Sequence, residues 1–278
     1  MKIHVAHSPD SDDAFMFYAL ADGRIDTGEL EYVHELADIE SLNRRALAGE
    51  LEVTAVSIHA YAYLADRYAL LGSGCSMGDG YGPRLVSKSP KPEDLRQALR
   101  ESEVAVPGTM TTAYLALKLL EPSVRTRVMP FDEIEDAVVD GRVPVGLLIH
   151  EGQLTFQDRG LHLWRDLGEW WQEETGLPLP LGGNAVRRDL GPEITGRIAR
   201  DLKASIEYAL AHRGPALAHA SRFNRGLSDQ RTDTFVGMYV NQWTVDYGER
   251  GRRAVQLLLD RGAEAGIIPH RVQVEFID

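Results

Sequence analysis

The sequence predicts a two-lobed α/β protein with a central ligand cleft between the lobes. Three observations carry that expectation. Two stretches alternate strand-like and helix-like patterning, one from Lys2 to Ala65 and one from Glu103 to Ile149. Between them, Tyr68 to Gly82 is rich in glycine and is followed by the breaks Pro90, Lys91 and Pro92, as expected where a chain crosses between lobes. The second stretch closes on VPVGLLIHE, residues 143–151, an apolar strand that stops abruptly at His150 and Glu151.

The elements follow in order. Lys2 to Ala6 reads as a strand, Ser8-Pro9-Asp10-Ser11-Asp12-Asp13 as a turn, and Ala14 to Ala21 as a helix capped by Ser11 or Asp12. Leu30 to Val33 is a short strand, and Asp38 to Ala48 a helix with Leu42 and Ala46 on one face. Leu51 to Val56 is a third strand ending at Ser57, and Ile58 to Ala65 an Ala/Tyr-rich helix. This βαβαβα order is that of a parallel sheet with right-handed crossovers.

Pro83 to Ser87 reads as a strand and Asp94 to Arg100 as a polar helix. Glu103 to Val106 is a strand ending in Pro107-Gly108-Thr109, and Thr111 to Leu120 a helix with good apolar spacing. Val124 to Met129, Phe131 to Val139 and Val143 to Ile149 continue as strand, helix and strand. After a short strand at Leu161 to Leu163 and the Trp-rich Glu169-Trp170-Trp171, the segment Leu177 to Leu181 and the strand Asn184 to Arg187 return the chain to the first lobe. Pro192 to His212 is a long amphipathic helix with Ile194, Ile198, Leu202, Ile206 and Leu210 on one stripe. Three more helices are expected at Pro215 to Asn224, Ser228 to Val240 and Gly248 to Ala265. On this reading residues 1–88 and 182–278 form a larger, discontinuous lobe and residues 89–181 a smaller one.

Bulk properties narrow the function. The 278 residues suffice for one large or two ordinary domains, and an apolar content of 44% with 26% charged residues is that of a globular chain. A formal net charge of −12 argues against nucleic acid and anionic membrane as partners, which need a basic surface. It leaves an anionic small ligand open, because a pocket can differ in sign from the whole surface. Cys75 is the only cysteine, which rules out an internal disulfide and a cysteine-based zinc site. MKIHVAHSPDSDD carries no apolar run of signal-peptide length, and no segment approaches ~18 consecutive apolar residues. The expectation is a cytoplasmic protein.

In open α/β sheets, ligands sit beyond the carboxyl ends of the strands. Four segments of this chain fall at such ends: Ser8-Pro9-Asp10, Ser57, Pro107 to Thr112, and His150-Glu151. An imidazole at that point, with its ordinary pKa near ~6.5, either takes a proton at neutral pH or serves as a satisfied structural group. Thr111 and Thr112 open a helix, where hydroxyls and free N–H groups suit an anion, or where threonine merely satisfies the helix's own donors. Asp10, Asp12 and Asp13 invite a metal reading, but their spacing fails the calcium-loop pattern and helix capping explains them with less. No P-loop, G-x-G-x-x-G, G-x-S-x-G or H-E-x-x-H motif is present; after His150-Glu151-Gly152 the fifth position is Leu154. Trp164, Trp170 and Trp171 fit a core or a lid better than a ligand cage.

Taken together, HSPDSDDAFMFYAL, LNRRALAGELEVTAVSIHAYAYL, SGCSMGDGYGPRLVSK, VAVPGTMTTAYLAL, GLLIHEGQLTF and DLGEWWQEETGLPLPLGGNAVRRDL resemble the 1,4-dihydroxy-6-naphthoate synthases of the futalosine route to menaquinone. The resemblance covers most of the chain in the same order. It implies a fold similar to the type II periplasmic binding proteins. It implies a carbon–carbon lyase that converts cyclic dehypoxanthinyl futalosine, a carboxylated small molecule, to 1,4-dihydroxy-6-naphthoate and releases a three-carbon fragment. It also implies that no cofactor or metal takes part, that the residue matching His150 is the base, and that those matching Ser57, Thr111 and Thr112 contact the ligand.

The candidate ligand-binding set is Ser8, Asp10, Asn43, Ala55, Val56, Ser57, Thr111 and Thr112, with His150 the candidate catalytic residue. The chain departs from the family pattern where some relatives read Ser-Pro-Cys-Pro-Asn-Asp, and at Asn184, polar where relatives can be apolar. The apolar strand behind His150 should disfavour its cation, while Glu151 either orients the ring or opposes that shift. Two alternatives share the fold: a small-molecule receptor or sensor, and the chorismate dehydratase of the same pathway.

Overall fold

The computed structural model describes residues 1–223 and 226–278. In chain order the strands are β1 (Lys2–His7), β2 (Glu31–Leu36), β3 (Val53–Ser57), β4 (Tyr68–Leu71), β5 (Ser76–Gly78), β6 (Arg84–Ser87), β7 (Glu103–Val106), β8 (Arg125–Val128), β9 (Val145–Leu148), β10 (His162–Asp166), β11 (Leu179–Arg187) and β12 (Phe276–Ile277). They form two sheets, one per lobe. The first runs β12-β4-β11-β3-β1-β2 with β5 alongside β11, and the second runs β10-β6-β9-β7-β8.

Both sheets are mixed. β1 lies parallel to β2 and β3, but the returning strand β11 is antiparallel to β3, β4 and β5. In the second sheet β7 is parallel to β8 and β9, while β6 is antiparallel to β9 and β10. The βαβ units account for the parallel cores, and the strands at the two crossings supply the antiparallel pairs.

Strand pairing shifts both lobe boundaries from the expected ones. Arg84–Ser87, expected with the larger lobe, lies in the second sheet, where all four of its residues pair with β9. Leu179 and Pro180 pair with Gly78 and Met77, so the chain is back in the first sheet before residue 182. The glycine-rich stretch is also more than a crossing, since it contains β4 and β5. Its glycines mask strand patterning and serve close packing. A Cβ on Gly78 would stand 2.0 Å from the Tyr81 carbonyl oxygen.

Helix starts follow capping chemistry. The Asp38 carboxylate accepts the Ser41 N–H at 3.0 Å and opens Ile39–Ala48, and the Thr111 hydroxyl accepts the Tyr114 N–H at 3.2 Å and opens Thr112–Leu120. The first helix departs from expectation. It begins at Ser11, with Asp10 in the cap position and no side-chain cap bond, and is interrupted at Phe17 between Ser11–Met16 and Tyr18–Ala21. The helix after β3 stops at Tyr61 rather than Ala65. The helix expected at Pro215 to Asn224 is Arg213–Ala220, and its expected last residue lies outside the described residues.

A continuous apolar cluster joins the lobes, running from Tyr61, Leu70 and Leu258 to Leu115, Leu147 and Trp171. Trp171 is fully buried and donates from Nε1 to the Pro178 carbonyl at 3.1 Å, so the Trp-rich segment is core. The long helix Gly191–Ala211 buries Ile198, Leu202 and Ile206 in a second cluster with Phe15 and Met16. Among the described residues no helix is long and apolar enough to cross a membrane.

Candidate active site

Because β1 and β3 are parallel, their carboxyl ends leave the first sheet at one edge; β7 and β9 do the same in the second. The residues that follow these strands meet between the lobes, at a cavity of about 130 Å³. Ser8, Asp10, Ala55, Val56, Ser57, Thr111 and Thr112 all line it. Ile149 and Gln153 reach it from beyond β9, and Leu181 to Asn184 form part of the wall from β11.

The lobes are stitched together across this space. The Thr112 hydroxyl donates to the Leu181 carbonyl at 2.5 Å and accepts the His59 N–H at 3.2 Å. Glu40 of the first lobe accepts the Met110 N–H at 3.2 Å, and a Cβ on Gly108 would collide with that carboxylate at 2.3 Å. Tyr239 donates its hydroxyl to Gln153 Oε1 at 2.8 Å, and Ser11 donates to Glu151 Oε1 at 3.3 Å. These bonds hold the lobes close, and the cavity is smaller than the roughly 300–1,000 Å³ usual for ligand pockets.

Several polar groups are already committed. Thr111 donates to the Gly108 carbonyl at 3.0 Å and caps its own helix, so the capping role anticipated for it is real. What the helix start offers the cavity is backbone. Thr112 and Ala113 stand at its first two positions, where an N–H has no carbonyl one turn back, and both line the space. Ser57 is placed by Asn43, whose Nδ2 donates to Ser57 Oγ at 3.1 Å and whose Oδ1 accepts the Ser57 N–H at 2.9 Å. Asn43 is fully buried and does not line the cavity, and its two bonds hold Ser57 in place. The Ser57 O–H hydrogen remains available to a ligand.

The acidic turn folds on itself. Ser8 donates its hydroxyl to Asp10 at 2.5 Å and its N–H to Asp13 at 2.7 Å. Burial, above all, pushes the Asp13 carboxyl up to about 7; the Ser8 N–H opposes this and Asp10 adds to it. Asp12 also lines the cavity and is raised well above the usual carboxylate range, first by burial and then by Asp13, Asp10 and Glu151. The sequence offered Asp12 and Asp13 only as a cap or a weak metal reading. Their place on the cavity wall follows from the helix starting at Ser11, three residues earlier than its apolar pattern.

His150 is placed differently from expectation. The segment 149–153 partitions two cavities. Ile149 and Gln153 line the first, while His150, Glu151 and Gly152 line a second of about 610 Å³ with Glu135, Arg159 and Arg231. The ring is buried, with its edge against Phe131 at 5.4 Å. Nε2 donates to the Phe131 carbonyl at 3.1 Å, and Nδ1 accepts the Gly152 N–H at 3.0 Å. A carbonyl only accepts and an N–H only donates, so this pair of bonds selects a neutral imidazole with its proton on Nε2. The ring does not face the cavity of Ser57 and Thr112. To reach a ligand there, Nδ1 must leave Gly152. Sequence patterning locates a strand end to within a residue or two; it cannot say on which side of the chain the next side chain falls.

A profile of the menaquinone biosynthesis family matches residues 3–264. The chain belongs to that family. Two family relatives are named 1,4-dihydroxy-6-naphtoate synthase. The one from Thermus thermophilus is 41% identical over 266 residues, covering 95% of each chain. The one from Streptomyces coelicolor is 39% identical over 277 residues, covering 96% of this chain and 95% of the relative. Among solved structures, protein AF1704 from Archaeoglobus fulgidus matches with a TM-score of 0.91 and 47% identity over 96% of this chain and 98% of that one. The aliphatic sulphonate binding protein of Escherichia coli, described as periplasmic, matches at a TM-score of 0.66 and 13% identity, covering 98% of this chain and 89% of that one. That second likeness is one of fold, and this family member has the two-lobed periplasmic-binding-protein architecture.

Proposed function

We propose that this protein is a 1,4-dihydroxy-6-naphthoate synthase, a carbon–carbon lyase that takes cyclic dehypoxanthinyl futalosine as substrate. The observation that carries the reading is the interlobe cavity, lined together by Ser57, by Thr112 and Ala113 at the start of Thr112–Leu120, and by Asp12 and Asp13, whose carboxyls are raised. Relatives carrying that name at about two-fifths identity along nearly the whole chain support it.

The chemistry asks for few groups. A base takes a proton from the substrate, and the bond beside a carbonyl breaks with release of the three-carbon fragment. The electron pair flows to the carbonyl oxygen, and aromatisation of the product drives the step. The developing oxyanion needs donors. Ser57 O–H is of that kind, while the start of Thr112–Leu120 offers N–H groups to a charged end of the ligand. The anionic carboxylate of the ligand suits the same helix start.

His150 is the proposed base. Its neutral Nε2–H form carries a basic lone pair on Nδ1, which accepts the backbone N–H of Gly152. Rotation of the ring away from Gly152, as the lobes part and close again on substrate, would bring that lone pair to the cavity that its neighbours Ile149 and Gln153 already line.

The test is direct. Purified protein is incubated with cyclic dehypoxanthinyl futalosine in buffer alone and followed by ultraviolet absorbance. The expected result is a naphthalene chromophore that grows with enzyme concentration. Tight binding with no chromophore would make the protein a receptor on this fold, and dehydration of chorismate would reassign it to the sister reaction.

A further inference from the structure

A buried acceptor on the cavity wall has no use in the mechanism above. Asn184 lies on β11, directly across from Ala55 on β3, as Gly182 lies across from Ser57. Residues opposite one another in an antiparallel pair share a face of the sheet. Asn184 therefore stands on the face that Ala55 and Ser57 present to the cavity, and all of them line it.

The orientation of the Asn184 amide is set by its surroundings. Nδ2 donates to the Gly74 carbonyl at 2.8 Å. Only the NH2 side can face a carbonyl, so Oδ1 points the other way. Gly74 makes room for this seat: a Cβ there would stand 2.5 Å from Nδ2. The side chain is 1% exposed, and among the described residues its Oδ1 has no hydrogen-bond partner. Buried acceptors in folded proteins are almost always satisfied, so an orphan on a ligand cavity calls for a donor.

We propose that Asn184 is a specificity-determining residue: its Oδ1 accepts a hydrogen bond from a hydroxyl of the bound ring. The groups around it favour a hydroxyl over other ligand groups. Oδ1 is a neutral acceptor and repels a carboxylate, which is left to the N–H groups of Thr112 and Ala113. Ala55, Leu181 and Gly183 contribute no competing side-chain donor. A ligand without the hydroxyl leaves the amide oxygen dry and unpaired, and a site built in that way rejects such analogues strongly. The inference rests on the reading of the ligand as a hydroxylated ring.

The test compares two ligands that differ only in hydroxyls. Wild-type protein, Asn184→Leu and Asn184→Ala are titrated anaerobically with 1,4-dihydroxy-6-naphthoate and with 2-naphthoate, which has the same skeleton and carboxylate. Melting temperatures check that each variant folds, and the alanine variant stands in if leucine overpacks. Wild type is expected to prefer the dihydroxy compound by about 10-fold or more. That preference should fall several-fold in the variants, with little change in affinity for 2-naphthoate. An unchanged preference in both variants overturns the proposal, as does a wild type that binds the two compounds equally or binds neither. Turnover of cyclic dehypoxanthinyl futalosine is scored separately. Its absence would sink the lyase reading, while a hydroxyl preference lost on substitution would still identify Asn184 as the acceptor.

Discussion

Asn43 and Ser57 grip each other twice, the amide donating to the hydroxyl at 3.1 Å and accepting the Ser57 N–H at 2.9 Å, with neither side chain open to solvent. One bond fixes the backbone at the carboxyl end of β3. The other takes an Oγ lone pair and leaves the hydroxyl hydrogen uncommitted. Asn43→Ala removes both partners and leaves a buried N–H unpaired. The expected loss is ~1–3 kcal/mol of stability, read by urea unfolding, with a fall in turnover beyond what the lost folded fraction explains. Asn43→Asp keeps the acceptor for Ser57 N–H and should recover part of both. If Asn43→Ala turns over like wild type, Ser57 does not need this brace.

On the proposed assignment, His150→Ala folds but loses turnover by a factor on the order of 10²–10⁴. A variant that retains its rate removes His150 from the mechanism. The more searching variant is Gly152→Ala. Its Cβ would lie 2.8 Å from His150 Cε1 and 3.1 Å from Glu135 Oε2, so the imidazole has to leave its present seat. Turnover should change while the melting temperature moves little. An unaltered rate with a displaced ring, seen by NMR of the imidazole, would count against the base role.

The neighbouring threonines should part company on substitution. Thr111→Val deletes a helix cap and is expected to cost ~1 kcal/mol of stability, with only a secondary effect on ligand affinity. Thr112→Val deletes the donor to the Leu181 carbonyl and the acceptor for His59 N–H, which tie one lobe to the other. Small-angle scattering of the unliganded variant should report a larger radius of gyration than wild type. Identical radii for Thr112→Val and wild type would mean that the apolar cluster and the remaining cross-lobe bonds hold the lobes without Thr112.

Asp13 gives a pH dependence whose sign can be worked out. Its folded-state pKa, about 7, is above the ordinary 3.8, chiefly because burial disfavours the anion. From pH ~4 to ~7 the folded state therefore keeps a proton that the unfolded state has released, and this group's contribution to stability falls as pH rises, levelling off above ~7. Asp13→Asn can still accept the Ser8 N–H but has nothing to ionise. Its stability relative to wild type should climb steadily between pH ~4 and ~7 in urea titrations. A difference that does not vary with pH would show that Asp13 ionises normally.

The lobed architecture was legible because its causes are local. Apolar runs, caps such as Asp38 and Thr111, and proline breaks act over a few residues, and they located most helices and the strands of both parallel cores. β4, β5 and β12 were not legible. They are short, glycine-rich or terminal, and become strands only because β11 or β4 lies beside them. The candidate site divides in the same way. Ser8, Asp10, Ser57, Thr111 and Thr112 could be named from strand ends and helix starts, since parallel strands bring their carboxyl ends to one edge.

By itself, then, the sequence determined the two-lobed α/β class, the strand-end positions that meet at the cleft, and a family whose curated relatives share one name. Tertiary structure alone decided three further points. Asn43 supports Ser57 instead of touching the cavity, the His150 ring is held by Phe131 and Gly152 on the far side of a thin partition, and the Asn184 oxygen is left without a partner on the wall among the described residues. The physical reason is range. Patterning and capping depend on neighbours along the chain, whereas the direction of a side chain and the satisfaction of its polar atoms depend on groups brought near only by folding, such as Gly74 beside Asn184, 110 residues away.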